Sequence, residues 1–132
     1  MFVDLDGFKA VNDTLGHDAG DYVLKQVAQR MLSCVRQTDT VARIGGDEFL
    51  IIATEISTPE TAALIAEKVI KQVSQTLIFN GQQVVVGVSI GIALFPDHDK
   101  NMDQLITLAD KAMYRVKKAG RNGFCFVNTT PN

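Results

Sequence analysis

Four acidic residues fall in two short clusters. Asp4 and Asp6 lie near the start, and Asp47 and Glu48 follow Gly45-Gly46 in the run Ala42-Arg43-Ile44-Gly45-Gly46-Asp47-Glu48-Phe49-Leu50. Each acid taken singly fits a solvated strand end. Brought together, they would repel one another, and a cation would relieve that repulsion. Mg²⁺ suits such a set, because it takes one or two carboxylates and leaves its other positions to water and phosphate. Two such ions can clamp the attacking and leaving oxygens of a phosphoryl transfer. Phosphate also needs donors. A Gly7-Phe8-Lys9 turn offers backbone N–H groups and an ammonium. Lys117 and Arg121 stand four apart near the end of the last helix and the glycine turn after it. Both can reach a triphosphate, although basic residues there also complement a helix dipole.

For this chemistry the two clusters must meet, and the element order supplies a way. Phe2 to Leu5 read as a short buried strand. Gly16 to Gly20 read as a glycine-rich turn into a helix whose apolar face is Val23, Leu24, Val27, Ala28, Met31, Leu32 and Val35. Val41 to Ile44 and Phe49 to Ile52 read as hairpin arms, with Gly45-Gly46 supplying the positive φ of a tight turn. Thr58-Pro59-Glu60 is a helix start: a capping hydroxyl, then proline, then an acid. Leu64, Ile65, Val69, Val73 and Leu77 form its stripe. Asn80-Gly81 marks a second hairpin, and Val84 to Leu94 read as a central strand. Asp97 to Asn101 is a polar loop. Leu105, Leu108, Ala109, Ala112, Met113 and Val116 define the last helix, and Phe124 to Val127 the last strand. The order β-α-β-β-α-β, with a helix and strand appended, predicts an α+β domain. Its core is a ferredoxin-like antiparallel sheet with helices on one face. There the first strand lies beside the third, so Asp4 and Asp6 come level with Asp47 and Glu48.

Composition sets bounds on partners. The chain has 132 residues, 46% hydrophobic and 21% charged, which fits one globular domain. A net charge of −2 argues against broad binding to a nucleic acid polymer. Cys34 and Cys125 have no spacing motif and read as reduced core thiols, compatible with a cytoplasmic location. No apolar run reaches membrane-spanning length, and no signal peptide is visible.

The motifs also come in a particular order. Asp4-Leu5-Asp6-Gly7-Phe8-Lys9, Asn12-Asp13 and Gly16-His17-Asp18-Ala19-Gly20-Asp21 precede the hairpin. Ala109-Asp110-Lys111-Ala112-Met113-Tyr114 and Gly120-Arg121-Asn122 follow it. With these spacings the chain resembles the GGDEF family, the diguanylate cyclases of bacteria, whose fold is nucleotide-cyclase or palm-like. The resemblance runs from Asp4 to Asn122. It implies Mg²⁺, with Mn²⁺ as a substitute, held by Asp4, Asp47 and the Leu5 carbonyl. It implies that Asp47 or Glu48 helps deprotonate an attacking 3′-hydroxyl; the role of Asp6 stays open. Asn12 and Asp21 match the guanine contacts. Phe8, Lys9, Lys117 and Arg121 match the phosphate contacts. Arg36 and Asp39 match an inhibitory product site. His17 fits the pattern without a catalytic part.

The implied reaction joins two GTP into cyclic di-GMP across a homodimer, under an upstream sensory domain that can carry a membrane anchor. The rival reading is a non-catalytic module that binds cyclic di-GMP or GTP. The family carries a further helical segment ahead of the first strand. The expectation is therefore a single domain, 1–132, that lacks this segment, with part of its sheet uncovered.

Overall fold

The computed structural model describes residues 1–128. The elements run β1 (Phe2–Asp6), α1 (Phe8–Leu15), α2 (His17–Ser33), β2 (Thr40–Gly45), β3 (Glu48–Ile52) and α3 (Pro59–Val73). They continue with β4 (Leu77–Phe79), β5 (Gln82–Val84), β6 (Gly87–Ile92), α4 (Met102–Lys118) and β7 (Gly123–Phe126). The main sheet has the order β2-β3-β1-β6-β7, and β4-β5 form a separate hairpin. The first four of those strands have the expected ferredoxin-like arrangement, and α1 with α2 together fill the place of its first helix.

The two faces of the sheet follow from strand alternation. Val3 and Leu5 of β1, Phe49 and Ile51 of β3, and Val88, Ile90 and Ile92 of β6 share a core with α1, α2 and α3. Phe2 points the other way and packs with Ala109 and Met113 of α4. The core helices α1, α2 and α3 therefore share one face, as expected, and the appended α4 covers the opposite face. The core strands pair antiparallel, and the appended β7 pairs parallel to β6, so the whole sheet is mixed. The appended β6-α4-β7 unit is a parallel crossover, and its helix takes the face the other helices leave free. Gly91 makes this possible. A Cβ there would collide with the Ala109 carbonyl, so α4 rests directly on the β6 backbone.

Several local expectations are corrected. Phe8 and Lys9, expected in a turn after Gly7, open a helix that runs to Leu15. It runs between two left-handed glycines, Gly7 at φ 82° and Gly16 at φ 93°. Its short polar middle, Asn12-Asp13, hides the helical period. Gly20 lies inside α2, because a Cβ there would strike the Asn12 side chain where α1 packs on α2. The α3 stripe is Ala62, Ala66, Val69 and Val73. Leu64 is 65% exposed, and Leu77 belongs to β4. Leu32 on α2 is also exposed. Val84 to Leu94 divides into the end of β5 and all of β6. The thiols of Cys34 and Cys125 are buried, and burial raises the pKa of both.

The close approach at Gly91 has a measurable consequence. Gly91→Ala should lower unfolding free energy by about 3 kcal/mol, since α4 must lift from the sheet. Urea denaturation showing a loss below about 1 kcal/mol would contradict this account of the interface.

Candidate active site

The hairpin places the acids. Gly45 pairs with Glu48, and a register shift between Arg43 and Gly45 leaves Ile44 bulged. The turn is thus Gly46-Asp47, one residue later than expected. Only Gly46, at φ 39°, needs the left-handed region. Arg43 Nε donates to the Gly46 carbonyl at 2.9 Å and steadies the turn. Strand β3 then runs antiparallel to β1 with Asp4 opposite Glu48. The Leu5 amide donates to the Asp47 carbonyl at 3.1 Å. The two clusters meet at one sheet edge, as the topology predicted.

Like charges directly opposite in a sheet destabilise it. The effect shows at Asp4. Burial pushes its carboxyl up to about 6; Lys117 opposes the rise, and Asp47 and Glu48 add to it. The Lys117 ammonium reaches over from α4 and makes three contacts. It lies 2.6 Å from Asp6 Oδ1, 3.2 Å from the Leu5 carbonyl and 3.4 Å from Asp4 Oδ1. A cation therefore already sits against two of the three predicted metal ligands.

Asp6 does not join the other three acids. It is 8% exposed, and its carboxylate is fully engaged. The Ser89 hydroxyl donates to Oδ1 at 2.9 Å, and the Asn122 amide donates to Oδ2 at 2.9 Å. Among the described residues no group of three or more acidic, histidine or cysteine side chains forms a ready metal cage. Mg²⁺ does not require one, since one or two carboxylates, a carbonyl and substrate phosphates suffice. The surplus negative charge at Asp4 and the all-oxygen donor set fit such an ion.

Of the predicted phosphate residues, Lys117 touches Asp4 and Asp6, and Arg121 precedes Asn122, whose amide donates to Asp6. Phe8 is buried, so it can offer only its backbone N–H. That N–H and the one from Lys9 belong to the first turn of α1, where amides lack intrahelical partners. Arg121 is exposed at φ 67°, just past α4, and its amide donates to the Val116 carbonyl at 3.0 Å. Asn12 lies on α1 over Gly20, one residue before Asp21 on α2. His17 is exposed at the start of α2.

Arg36 and Asp39 stand elsewhere, at the end of α2. The Asp39 side chain is fully buried, while that of Arg36 is half-exposed. Asp39 accepts from the amides of Arg36 at 2.9 Å and Thr54 at 3.0 Å. Burial would raise its pKa, but these hydrogen bonds and the Arg36 guanidinium hold it below the usual carboxylate range. Arg36 also donates to the Thr54 carbonyl. Asp39 thus staples the approach to β2 onto the segment after β3 and holds the half-exposed Arg36 against it. A groove of about 490 Å³ lies between the end of β3 and α4, away from the acids. It is mostly apolar, with Leu50, Phe95, Met102 and Ile106 in its walls.

Residue chemistry alone missed Ser89. Its only signal was a hydroxyl within the apolar run Val84 to Leu94, a buried polar group that requires a partner.

The raised Asp4 pKa has a definite sign. Between about 4 and 6 the folded state binds more protons than the unfolded one, so stability falls as pH rises through that window. Asp4→Asn should flatten this slope in chelator-treated protein and raise stability at pH 7.5 by about 1–2 kcal/mol after screening. Thermal melts between pH 4 and 8 check this; an unchanged slope would contradict the charge balance described.

Comparison with known proteins agrees with this geometry. The family model described as "Diguanylate cyclase, GGDEF domain" matches residues 1–123. The chain is 47% identical over its whole length to MucR of Pseudomonas aeruginosa, a bifunctional diguanylate cyclase/cyclic di-GMP phosphodiesterase, and spans 19% of that protein. It is 42% identical, over 92% of its length, to the diguanylate cyclase DosC of Escherichia coli K12, spanning 26% of it. The crystal structure of the GGDEF domain of YfiN from Pseudomonas aeruginosa superimposes with a TM-score of 0.93 at 37% identity, covering 98% of this chain and 81% of that one. With its acidic hairpin set against β1 under a lysine from α4, the chain belongs to the GGDEF family of diguanylate cyclase domains.

Proposed function

We propose that this domain condenses two GTP molecules into cyclic di-GMP with release of two pyrophosphates. The observation that carries the reading is the charge balance at the β1–β3 edge. Asp4 interacts with both Asp47 and Glu48, and the Lys117 ammonium beside it is shared with Asp6, which leaves room for more positive charge.

Asp4, Asp47 and the Leu5 carbonyl would hold Mg²⁺ or Mn²⁺. The ion supplies charge stabilisation at the phosphate oxygens. The amides of Phe8 and Lys9 at the start of α1, the Lys9 ammonium, Lys117 and Arg121 would hold the triphosphate. Asn12 and Asp21 would read guanine, the amide donating and the carboxylate accepting. Against adenine both would be left unpaired. Asp47 or Glu48 would accept the proton of the attacking 3′-hydroxyl. One site holds one GTP, so the two hydroxyl attacks require a second copy of the domain facing the first. An upstream sensory domain would bring the two together, and the GTP pool places the reaction in the cytoplasm. No described helix is long and apolar enough to cross a membrane, so any anchor would lie outside the described residues. Arg36, half-exposed and paired with Asp39, would grip the product and inhibit further synthesis.

The relatives' names favour the cyclase over a pure binding module, and intact Asp47 and Glu48 support it. The decisive experiment is nucleotide analysis after incubation of the domain, in its native full-length protein, with GTP and Mg²⁺. Cyclic di-GMP should accumulate. Asp47→Ala should cut the rate by at least about 10³-fold while leaving the melting temperature unchanged within a few degrees. Near-normal synthesis by that variant would overturn the assignment.

Feedback is tested separately. Arg36→Ala should raise the cyclic di-GMP concentration needed for half-inhibition by roughly tenfold or more, with the initial rate unchanged. Equal product affinity by calorimetry would return Arg36 to the role of a surface ion-pair partner.

A further inference from the structure

Asp6 is the one acid of the cluster to which the proposed reaction gives no task. It is also the most fully bonded. Its Oδ1 accepts from Lys117 Nζ at 2.6 Å and Ser89 Oγ at 2.9 Å, and its Oδ2 accepts from the Asn122 amide at 2.9 Å. Asn122 in turn accepts at Oδ1 from the Val88 amide at 3.3 Å. Gly87 leaves the space for both, since a Cβ there would lie 3.1 Å from Asp6 Oδ2 and from Asn122 Oδ1.

We infer that Asp6 is a positioning residue for triphosphate binding: one buried carboxylate on β1 fixes both Lys117 on α4 and the Arg121-Asn122 turn that follows. The inference rests on the reading of Lys117 and Arg121 as phosphate donors.

Two arguments carry it. The first concerns Lys117. The Lys117 ammonium donates to Asp6 and to the Leu5 carbonyl and forms an ion pair with Asp4 at 3.4 Å. The last two acceptors are the atoms proposed to turn to a metal ion. When they do, Asp6 is the only one of the three that still holds the lysine. The freed N–H groups then point to the triphosphate, while the shortest contact keeps the long side chain in place. The second concerns Arg121. It sits in the left-handed region at φ 67°, and Asn122 follows at φ 48°. Two successive residues in that conformation are uncommon outside glycine. The bond from the Asn122 amide to Asp6 holds the turn, and with it the direction in which Arg121 leaves the backbone. Removing the charge of Asp6 would therefore loosen both cations at once.

The test separates positioning from folding and from the function itself. Binding of a non-hydrolysable GTP analogue and of GMP, each with Mg²⁺, is measured by calorimetry and ligand-observed NMR. Asp6→Asn is nearly isosteric. It keeps an acceptor for the Asn122 amide but presents no charge to Lys117. It should weaken the triphosphate analogue by roughly tenfold or more and leave GMP within about twofold. Asn122→Gly keeps the backbone donor and tolerates the positive φ but loses the bond to Val88. It should weaken the triphosphate analogue by a smaller factor, again with GMP unchanged. It decides the matter if Asp6→Asn fails to fold. Equal losses for both ligands, or none, would overturn the inference and leave Asp6 as a core residue. Failure of the unmodified protein to bind the triphosphate analogue would overturn the proposed function instead.

Discussion

A lysine ammonium from α4 lies against β1, touching Asp6, Asp4 and the Leu5 carbonyl. Much of the structure exists to make that contact. β1 must be central, with β3 and β6 on either side. Gly91 must lack a side chain so that α4 can lie on β6. Ser89 and Asn122 must complete the bonding of Asp6, because a buried carboxylate with one partner missing is costly. The result is a site in which Asp6 is fully bonded, Asp4 shares its lysine, and Asp47 and Glu48 have no ion-pair partner among the described residues.

The division of labour among the acids follows from strand geometry. Asp4 and Asp6 are two apart and share a face of β1. Asp4 lies level with Glu48 and beside the turn that carries Asp47. Asp6 lies one step further along, level with Gly87 of β6 and beyond the β3 pairing. Two residues of displacement therefore separate an acid that faces ligand space from one that faces protein. Burial, with a smaller contribution from Asp47 and Glu48, pushes Asp4 up to about 6 although Lys117 lies beside it. Electrostatic strain in a site without substrate is a common signature of a place built for a charged ligand.

Much of this was legible in the chain. The element order set β1 beside β3, and that alone brought Asp4 to Asp47 and Glu48. Strong apolar periodicity in α2 and α4 and the Thr58-Pro59 start of α3 marked their helices. The misreadings had local causes. Helix α1 is too short and too polar to show a period, and the glycines at its ends resemble turn residues. The turn slipped by one residue because two adjacent glycines do not say which takes positive φ; a bulge at Ile44 decided it. The face that the appended helix α4 covers depends on how β6-α4-β7 crosses over, which periodicity does not encode. The partners of Asp6 were invisible for the same reason: Ser89 and Asn122 join it only once β6 and the end of α4 are placed.

The account depends most on the claim that the β1–β3 edge is short of positive charge and takes a divalent cation together with a guanine nucleotide. Electron paramagnetic resonance of Mn²⁺ titrated into the protein, with and without a non-hydrolysable GTP analogue, tests this directly. The account predicts weak binding to the protein alone and a tight class of Mn²⁺ once the analogue is present, lost in both Asp4→Asn and Asp47→Ala. A tight class that survives both substitutions, or no Mn²⁺ bound beyond that held by free nucleotide, would contradict it.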